Sequence, residues 1–232
     1  MQMLKVIALL LEYPEEELWE DREALCALVA EQAPALQSFA DRWLGGNLLD
    51  RQSEWCETFD RGCATSLLLF EHVHGESRDR GQAMVDLMSQ YEQAGLLLNC
   101  RELPDYLPLY LEYLSLQPQA AAQQGLQDVA PILALIGGRL RQRESVFSQL
   151  FDALLAWAGS PLRSSSVAGQ VSKEPRDDTR EALDAVWEEA QIKFIDDRAQ
   201  GCGDTSPEKA HQQRFQQQPI PQYLDLSAGG PK

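Results

Sequence analysis

The segment Glu71-His72-Val73-His74, followed by Glu76, brings two imidazoles and two carboxylates together within six residues. Side chains of these types bind zinc or iron and can serve a metal-dependent hydrolase, but a metal site needs three or four ligands that converge. Nothing else in the sequence fixes a further ligand beside this pair. We therefore expect no bound metal, and we expect these histidines to hold a loop by hydrogen bonds or to contact a partner.

No other arrangement of reactive side chains stands out in the sequence. The chain has three histidines and lacks the nucleophile-elbow, phosphate-loop and dinucleotide-binding motifs of common enzyme classes. Its five cysteines form no Cys-x-x-Cys pair, which argues against both a zinc site and a disulfide framework. The sequence thus predicts no catalytic residue and no cofactor. A hydrolase that uses His72 and His74 remains the alternative from the enzyme class.

The charge distribution indicates what kind of partner the protein can meet. The 232 residues carry a formal net charge of −16, which disfavours binding to nucleic acid and to anionic lipid. Residues 1–60 hold nine Glu and four Asp against four Lys or Arg. The N-terminal part is therefore a candidate surface for a cationic partner, although acidity also serves solubility.

Apolar residues recur at helical spacing along almost the whole chain, so we predict an all-α fold with no sheet. A single helical-bundle-like domain is expected over residues 1–195. The apolar run Val6–Leu11 is too short to span a membrane and is predicted to be a buried helix, with no direct membrane insertion. A helix is predicted from Pro14 through Val29, a capped helical turn at Leu67–Phe70, and a kink or break at Pro131.

The composition changes after residue 159. Residues 160–175 are rich in Ser, Gly and Pro and are predicted to form an internal linker. Asp178 or Thr179 is expected to cap a last amphipathic helix. Residues 196–232 are polar and rich in Gln, and we expect a loosely ordered tail whose removal leaves the fold intact.

Several stretches together resemble one protein family. They are Phe59–Gly95, Arg101–Leu114 (RELPDYLPLYLEYL), Asp128–Leu135 (DVAPILAL) and Arg176–Glu189. These stretches are similar to the nitrate reductase molybdenum cofactor assembly chaperones of the NarJ/NarW type, within the wider TorD-like group of redox-enzyme maturation chaperones. The opening MQMLKVIALLLEYP and Glu54–Glu57 resemble the NarW branch more than the NarJ branch.

This resemblance implies an all-helical cytoplasmic chaperone of the NarJ/TorD type that is not an enzyme. It implies binding to the apo catalytic (alpha) subunit of respiratory nitrate reductase, partly through the N-terminal peptide of that subunit. The chaperone would support insertion of the molybdenum cofactor, delay membrane docking and be absent from the final enzyme. The molybdenum cofactor delivery machinery is a further partner in keeping with this role. A generic helical adaptor remains the alternative from the class of interaction proteins.

A client-peptide site is predicted near the turn Phe70–Glu76, between the helix of Met84 to Tyr91 and the helix of Tyr106 to Leu114. Met84 and Met88 form an apolar stripe that could adapt to a flexible partner, although such a stripe is also typical of a core. Acidic residues nearby would meet a cationic peptide. The candidate residues are Glu71, His72, His74, Glu76, Met84, Met88, Tyr91, Asp105, Tyr106, Tyr110 and Glu112.

Overall fold

The structure is a computed structural model that describes residues 2–74, 78–98 and 102–185. Contacts within the chain separate a unit Met1–Leu183 from a unit Asp184–Lys232, of which only the first two residues are described. The predicted tail therefore lies outside the described residues. The α-helices are α1 (Gln2–Leu11), α2 (Glu16–Glu20), α3 (Arg22–Gln32), α4 (Gln37–Leu44), α5 (Leu48–Trp55), α6 (Glu71–His74), α7 (Arg78–Gln93), α8 (Leu107–Leu116), α9 (Gln119–Asp128), α10 (Ala130–Gln142), α11 (Ser148–Trp157) and α12 (Ala168–Val171).

Three shorter helical segments and a last helix complete the described chain. Pro34–Leu36 and Ser164–Val167 are 3-10 helices, and Cys56–Asp60 is a π-helical continuation of α5. Thr179 caps the last helix, because its Oγ1 accepts a hydrogen bond from the Ala182 N–H at 3.2 Å. The predicted all-α class is confirmed.

Helix α1 forms the centre of the core. Six of its ten residues are buried and cover a wide apolar face, while Gln2, Lys5 and Leu9 lie on the remaining, more exposed face. It packs against α8 on one side and against α3 on another. Since α1 ends at Leu11, the residues that follow it emerge at the protein surface beside α3 and the start of α8.

A cluster of aromatic rings joins the N-terminal helices to α11. Phe147, just before α11, contacts Phe39, Trp43 and Phe59 with ring centroids 5.4, 4.6 and 4.8 Å apart. Edge-to-face contacts of this kind add to the stabilisation that burial gives. Phe39 and Trp43 lie four residues apart on α4, so one face of this helix supplies both rings.

The segment Leu67–Phe70 is not helical, so the predicted helical turn is wrong: it makes a β-bridge at Leu68 and then turns at Leu69–Phe70 into α6. Leu69 N–H donates to Asp105 O at 3.0 Å, and Leu107 N–H donates to Leu67 O at 2.8 Å. Leu67 and Leu69 are buried while Leu68 between them is half-buried, which is the two-residue alternation of a strand. Leu68 and Tyr106 form an isolated antiparallel β-bridge. The described residues contain no β-strand longer than this bridge.

Two proline-linked predictions have different outcomes. The helix predicted from Pro14 through Val29 is divided into α2 and α3 at Asp21, whose φ and ψ of −89° and 9° leave the helical region. The break predicted at Pro131 is confirmed, since α9 ends at Asp128 and α10 begins at Ala130. Pro131 lies in the first turn of α10, where its missing N–H breaks no helical hydrogen bond.

The segment 160–175 contains short helices that pack against α10. Glycine on α10 allows this close approach: a Cβ on Gly138 would lie 2.5 Å from Val167 Cγ2 of the segment, and Ser164 of the segment is fully buried. Ser164 N–H donates to Asp152 Oδ1 at 2.9 Å. The close packing thus depends on the glycines of α10 and on the buried Ser164, whereas Gly169 within the segment has nothing within 4 Å of a Cβ placed on it.

Candidate functional site

A groove lies where α1, α2 and α3 meet the segment that precedes α8. Its volume is about 760 Å³. The sequence forms this groove because α1 ends before Pro14, α2 turns away at Asp21, and α3 returns along α1. The lining residues are Leu9, Glu12, Tyr13, Glu15, Glu17, Leu18, Asp21, Ala24, Leu25, Leu28, Glu102 and Tyr106.

The floor of this groove is apolar. Leu9 from α1, Leu18 from α2 and Leu28 from α3 are half-buried, so each offers part of its side chain to the groove. Leu25 lies beneath them and is 7% exposed. A surface of this kind, contributed by three helices, matches the apolar face of an added helix.

The rim of the groove is acidic. Five of the lining residues carry carboxylates, namely Glu12, Glu15, Glu17, Asp21 and Glu102, and the described lining includes no Lys, Arg or His. The like charges are close enough to affect one another. Burial raises the pKa of Glu12, and the neighbouring carboxylates of Glu112, Glu15 and Glu102 raise it further. A cation in the groove would therefore relieve repulsion as well as form ion pairs.

Tyr106 connects the groove to the predicted client site. Its ring is half-buried and lines the groove, and burial, followed by the charges of Glu12 and Glu102, raises the pKa of its hydroxyl. Tyr106 thus stays a neutral hydroxyl beside the acidic rim. Of the predicted site residues it is the one that the groove lining includes.

Tyr110 and Glu112 lie on α8, just after Tyr106, but neither side chain lines the acidic groove. Tyr110 is buried, and its hydroxyl donates to Gly125 O at 3.1 Å on α9. Glu112 is half-buried and lines a smaller cavity of about 160 Å³ with Tyr91 and several leucines. Its charge still reaches the acidic groove, because it raises the pKa of Glu12.

Asp105 is fully buried, so the structure corrects the prediction that it belongs to an exposed acidic rim. Its Oδ2 accepts a hydrogen bond from Phe70 N–H at 2.9 Å, and its main-chain oxygen accepts one from Leu69 N–H. Burial raises the pKa of this carboxyl. Asp105 therefore fastens the segment Leu67–Phe70 to the start of α8.

His72 is held between two hydrogen-bonding partners. Its Nε2 lies 2.9 Å from Ser66 O, and its Nδ1 lies 3.3 Å from Arg139 Nη1. Because a guanidinium can only donate, Nδ1 accepts and Nε2–H donates. Burial lowers the pKa of His72, and the charge of Arg139 lowers it further. The neutral ring thus holds a loop, which is one of the two roles expected from the sequence.

The other predicted residues around α6 and α7 are dispersed. Glu71 forms an ion pair of 3.5 Å with Arg80, and Tyr91 is buried with its hydroxyl donating to Pro104 O. Met84 is half-buried and Met88 is 40% exposed. Glu76 lies outside the described residues, as does the side chain of His74. Across the described ranges no group of three or more His, Cys, Asp or Glu side chains is placed to hold a metal ion.

Comparisons with known proteins agree on one family. A family model described as nitrate reductase delta subunit matches residues 22–160. NarW of Escherichia coli K12, named as a nitrate reductase molybdenum cofactor assembly chaperone, is 64% identical over 232 residues and covers 100% of both chains. NarJ of the same organism, with the same description, is 54% identical over 234 residues and covers 98% of both chains.

The chain belongs to this family of assembly chaperones. The higher identity to NarW than to NarJ agrees with the resemblance seen in the opening residues. A solved structure from Archaeoglobus fulgidus, named as a redox enzyme maturation protein, aligns with a TM-score of 0.48 and 20% identity over 68% of this chain and 92% of that chain. Because the named family members are chaperones and not catalysts, this chaperone is not an enzyme.

Sequence reasoning missed most of the groove in this NarJ/NarW-type chaperone. The signal that points to it is the excess of acidic residues in the first sixty positions, which makes the N-terminal part a candidate surface for a cationic partner but does not fix the groove. The rim residue Glu102 could not be assigned in this way, because only the packing of α1 against α8 brings it near Glu12. None of the described helices is both long and apolar enough to cross a bilayer.

Proposed function

We propose that this protein is the cytoplasmic chaperone that prepares the apo catalytic subunit of a respiratory nitrate reductase for insertion of its molybdenum cofactor. The observation that carries the proposal is the groove of α1, α2 and α3, with an apolar floor and five carboxylates on its rim. Its occupant is the N-terminal peptide of the apo subunit, bound as an amphipathic helix that carries at least one Lys or Arg. Family membership supports the choice of client.

The chemistry of the groove selects such a peptide by two separate contributions. The leucines of the floor bury the apolar face of the helix, which supplies most of the affinity. The carboxylates attract the cationic residue before contact and reject anionic segments, so they set the rate of encounter and the specificity. Burial and then the neighbouring carboxylates raise the pKa of Glu12, so direct pairing of the cation with Glu12 would offset both effects.

Binding of this kind can delay assembly without any chemical step. A chaperone that binds only the apo subunit shifts the population towards the unassembled form by mass action. While its N-terminal peptide lies in the groove, the subunit would not dock at the membrane. Release after cofactor insertion would then allow docking, and the chaperone would not be part of the final enzyme. Handover from the cofactor delivery machinery would take place on this complex.

Calorimetry with a synthetic peptide of the client's N-terminus tests the groove. Glu15→Lys with Glu17→Lys reverses two exposed rim charges. The matched control is Glu16→Lys with Glu20→Lys, which makes the same charge change at exposed positions of α2 that do not line the groove. We expect the rim variant to bind about tenfold more weakly at low salt, with a much smaller effect in the control.

Salt dependence separates the two contributions to affinity. The difference between rim variant and control should shrink as ionic strength rises from about 0.01 to 1 M, because screening shortens the Debye length from about 30 to 3 Å. Equal peptide affinity of the folded rim variant and the control at low salt would show that the peptide binds elsewhere. Absence of any binding to the unmodified protein would contradict the proposed client.

A further inference from the structure

A second polar site lies where the C-terminal half of α10 meets the loop Arg61–Thr65. Arg143 has a side chain that is 7% exposed, donates to Thr65 Oγ1 at 2.8 Å and pairs with the carboxylate of Asp177. Arg139 donates from Nη1 to Ala64 O at 3.0 Å and from Nε to Glu174 Oε2 at 2.7 Å. None of these residues lines the groove proposed for the client. Two guanidinium groups thus converge on one loop of a strongly acidic protein.

The loop has a shape that accepts an anion. Gly62 has a φ of +96°, a conformation that favours glycine, and a Cβ at this position would lie 2.6 Å from Asp177 Oδ2. The same oxygen accepts a hydrogen bond from Ala64 N–H at 2.7 Å. One carboxylate therefore receives a main-chain N–H and a guanidinium together, an arrangement that proteins use for anions.

The anion in this site belongs to the acidic strap, which we define as residues 172–178. The strap follows the buried Val171, and it buries no apolar side chain of its own. Three ion pairs hold it: Glu174 with Arg139 at 2.7 Å, Asp177 with Arg143, and Asp178 with Arg143 at 3.7 Å. Main-chain hydrogen bonds from Lys173 N–H to Gln170 O and from Glu174 N–H to Val171 O, each 3.0 Å, hold the start of the strap. Because polar contacts rather than apolar packing fasten the rest, its departure would not open the core.

There is room for a larger anion beside the strap. A cavity of about 330 Å³ is lined by residues that include Arg61, Arg143, Thr58 and Ser145, together with Glu54, Glu57 and two strap residues. Glu54 is already paired with Arg51, so its charge is partly neutralised. The Thr58 hydroxyl donates to Glu54 O at 2.7 Å, so the donors that face this space are the Ser145 hydroxyl and the guanidinium groups of Arg61 and Arg143. Such donors suit a phosphate group, which accepts more hydrogen bonds than a carboxylate does.

We propose that Arg139, Arg143 and the loop Arg61–Thr65 form a binding site for a phosphate-bearing small molecule, and that the strap carboxylates occupy this site in its absence. A phosphate or pyrophosphate group takes the place of the Asp177 carboxylate, accepts hydrogen bonds from Ala64 N–H and Arg143, and releases the strap. The site is independent of the client groove, so either proposal can fail without the other.

Calorimetry with inorganic pyrophosphate tests the site on the full-length protein. Asp177→Asn with Asp178→Asn removes the internal competitor but keeps side chains of the same shape. The control, Glu23→Gln with Asp50→Asn, removes the same two charges at exposed positions outside the site. We expect the strap variant to bind pyrophosphate about tenfold more tightly than the control, since a charge-assisted contact no longer has to be displaced. Equal affinities of the two variants would overturn the proposal.

Limited proteolysis of the unmodified protein gives a second and independent readout. Lys173 and Arg176 of the strap are exposed and are sites for trypsin. Pyrophosphate should speed cleavage after these two residues several-fold relative to sodium chloride of equal ionic strength, with the fragments assigned by mass spectrometry. If pyrophosphate binds while the cleavage rate stays unchanged, the anion does not replace the strap and the proposal is wrong.

Discussion

Replacement of Asp105 distinguishes a buried structural carboxylate from a charge that meets the client. Asp105 is 0% exposed, and its Oδ2 accepts a hydrogen bond from Phe70 N–H at 2.9 Å. Its Oδ1 has no hydrogen-bond partner among the described residues. Oδ2 therefore fastens the segment Leu67–Phe70, while Oδ1 is buried without a hydrogen bond that would offset its loss of hydration.

The expected magnitudes follow from these contacts. Asp105→Ala removes the acceptor of a half-buried N–H, which costs about 1–3 kcal/mol, and leaves a small cavity that adds about 1 kcal/mol. Asp105→Asn keeps an acceptor oxygen and removes a buried charge, so its cost should stay below about 1 kcal/mol. For a protein of this size, a loss of about 3 kcal/mol lowers Tm by about 6–12 °C.

Urea unfolding across a pH series measures both effects. The folded-state pKa of Asp105 is raised by burial above its unfolded value, so its contribution to stability is full at low pH and is lost as pH rises through the folded pKa. Asp105→Asn should abolish this loss and leave peptide affinity unchanged. If Asp105→Asn is as destabilising at pH 7 as Asp105→Ala, the charge itself is required, for example by Arg80, and this reasoning is refuted.

Three further predictions concern other parts of the protein. Gly138→Ala should destabilise the fold by about 1–3 kcal/mol in thermal unfolding, because the new Cβ would meet Val167 at 2.5 Å; a neutral result would show that the segment 160–175 can move away. Burial lowers the pKa of His72, so the free energy of unfolding should fall as pH drops below about 6.5. Between about pH 7 and 5.5 the His72→Gln variant should lose less of this free energy than the unmodified protein, and equal losses would contradict the neutral, buried His72. Removal of residues 205–232 should leave Tm nearly unchanged in calorimetric scans, whereas a fall of many degrees would show that the tail is structural.

Much of the fold could be predicted from the sequence because helical periodicity is strong wherever a helix has one buried face. The apolar run that became α1 and the break before Pro131 are examples, since both follow from local residue types. The segment Leu67–Phe70 was misassigned because four apolar residues in a row have no decisive period. Its non-helical form is set by contacts with Asp105 and Leu107, which lie more than thirty residues away.

The candidate site was harder to predict because it is assembled from distant positions. Glu12 and Glu102 come from segments that only tertiary packing joins, and neither forms a motif. Asp105 follows a proline before a helix, where a carboxylate is usually an exposed cap, and the bridge to Leu68 buries it instead. The methionine stripe on α7 stays a prediction as a client surface, with Met88 its most exposed methionine.

Photo-crosslinking locates the client peptide and tests the central proposal most directly. A photoreactive amino acid is placed at Leu28 on the floor of the groove, and in a separate protein at Met88 on α7, where the sequence alone predicted the site. Both positions are partly accessible, so each probe can reach a peptide that binds nearby. We expect a crosslink to the client's N-terminal peptide from position 28, suppressed by excess unlabelled peptide, and little from position 88. A strong, competable crosslink from position 88 with none from position 28 would contradict it.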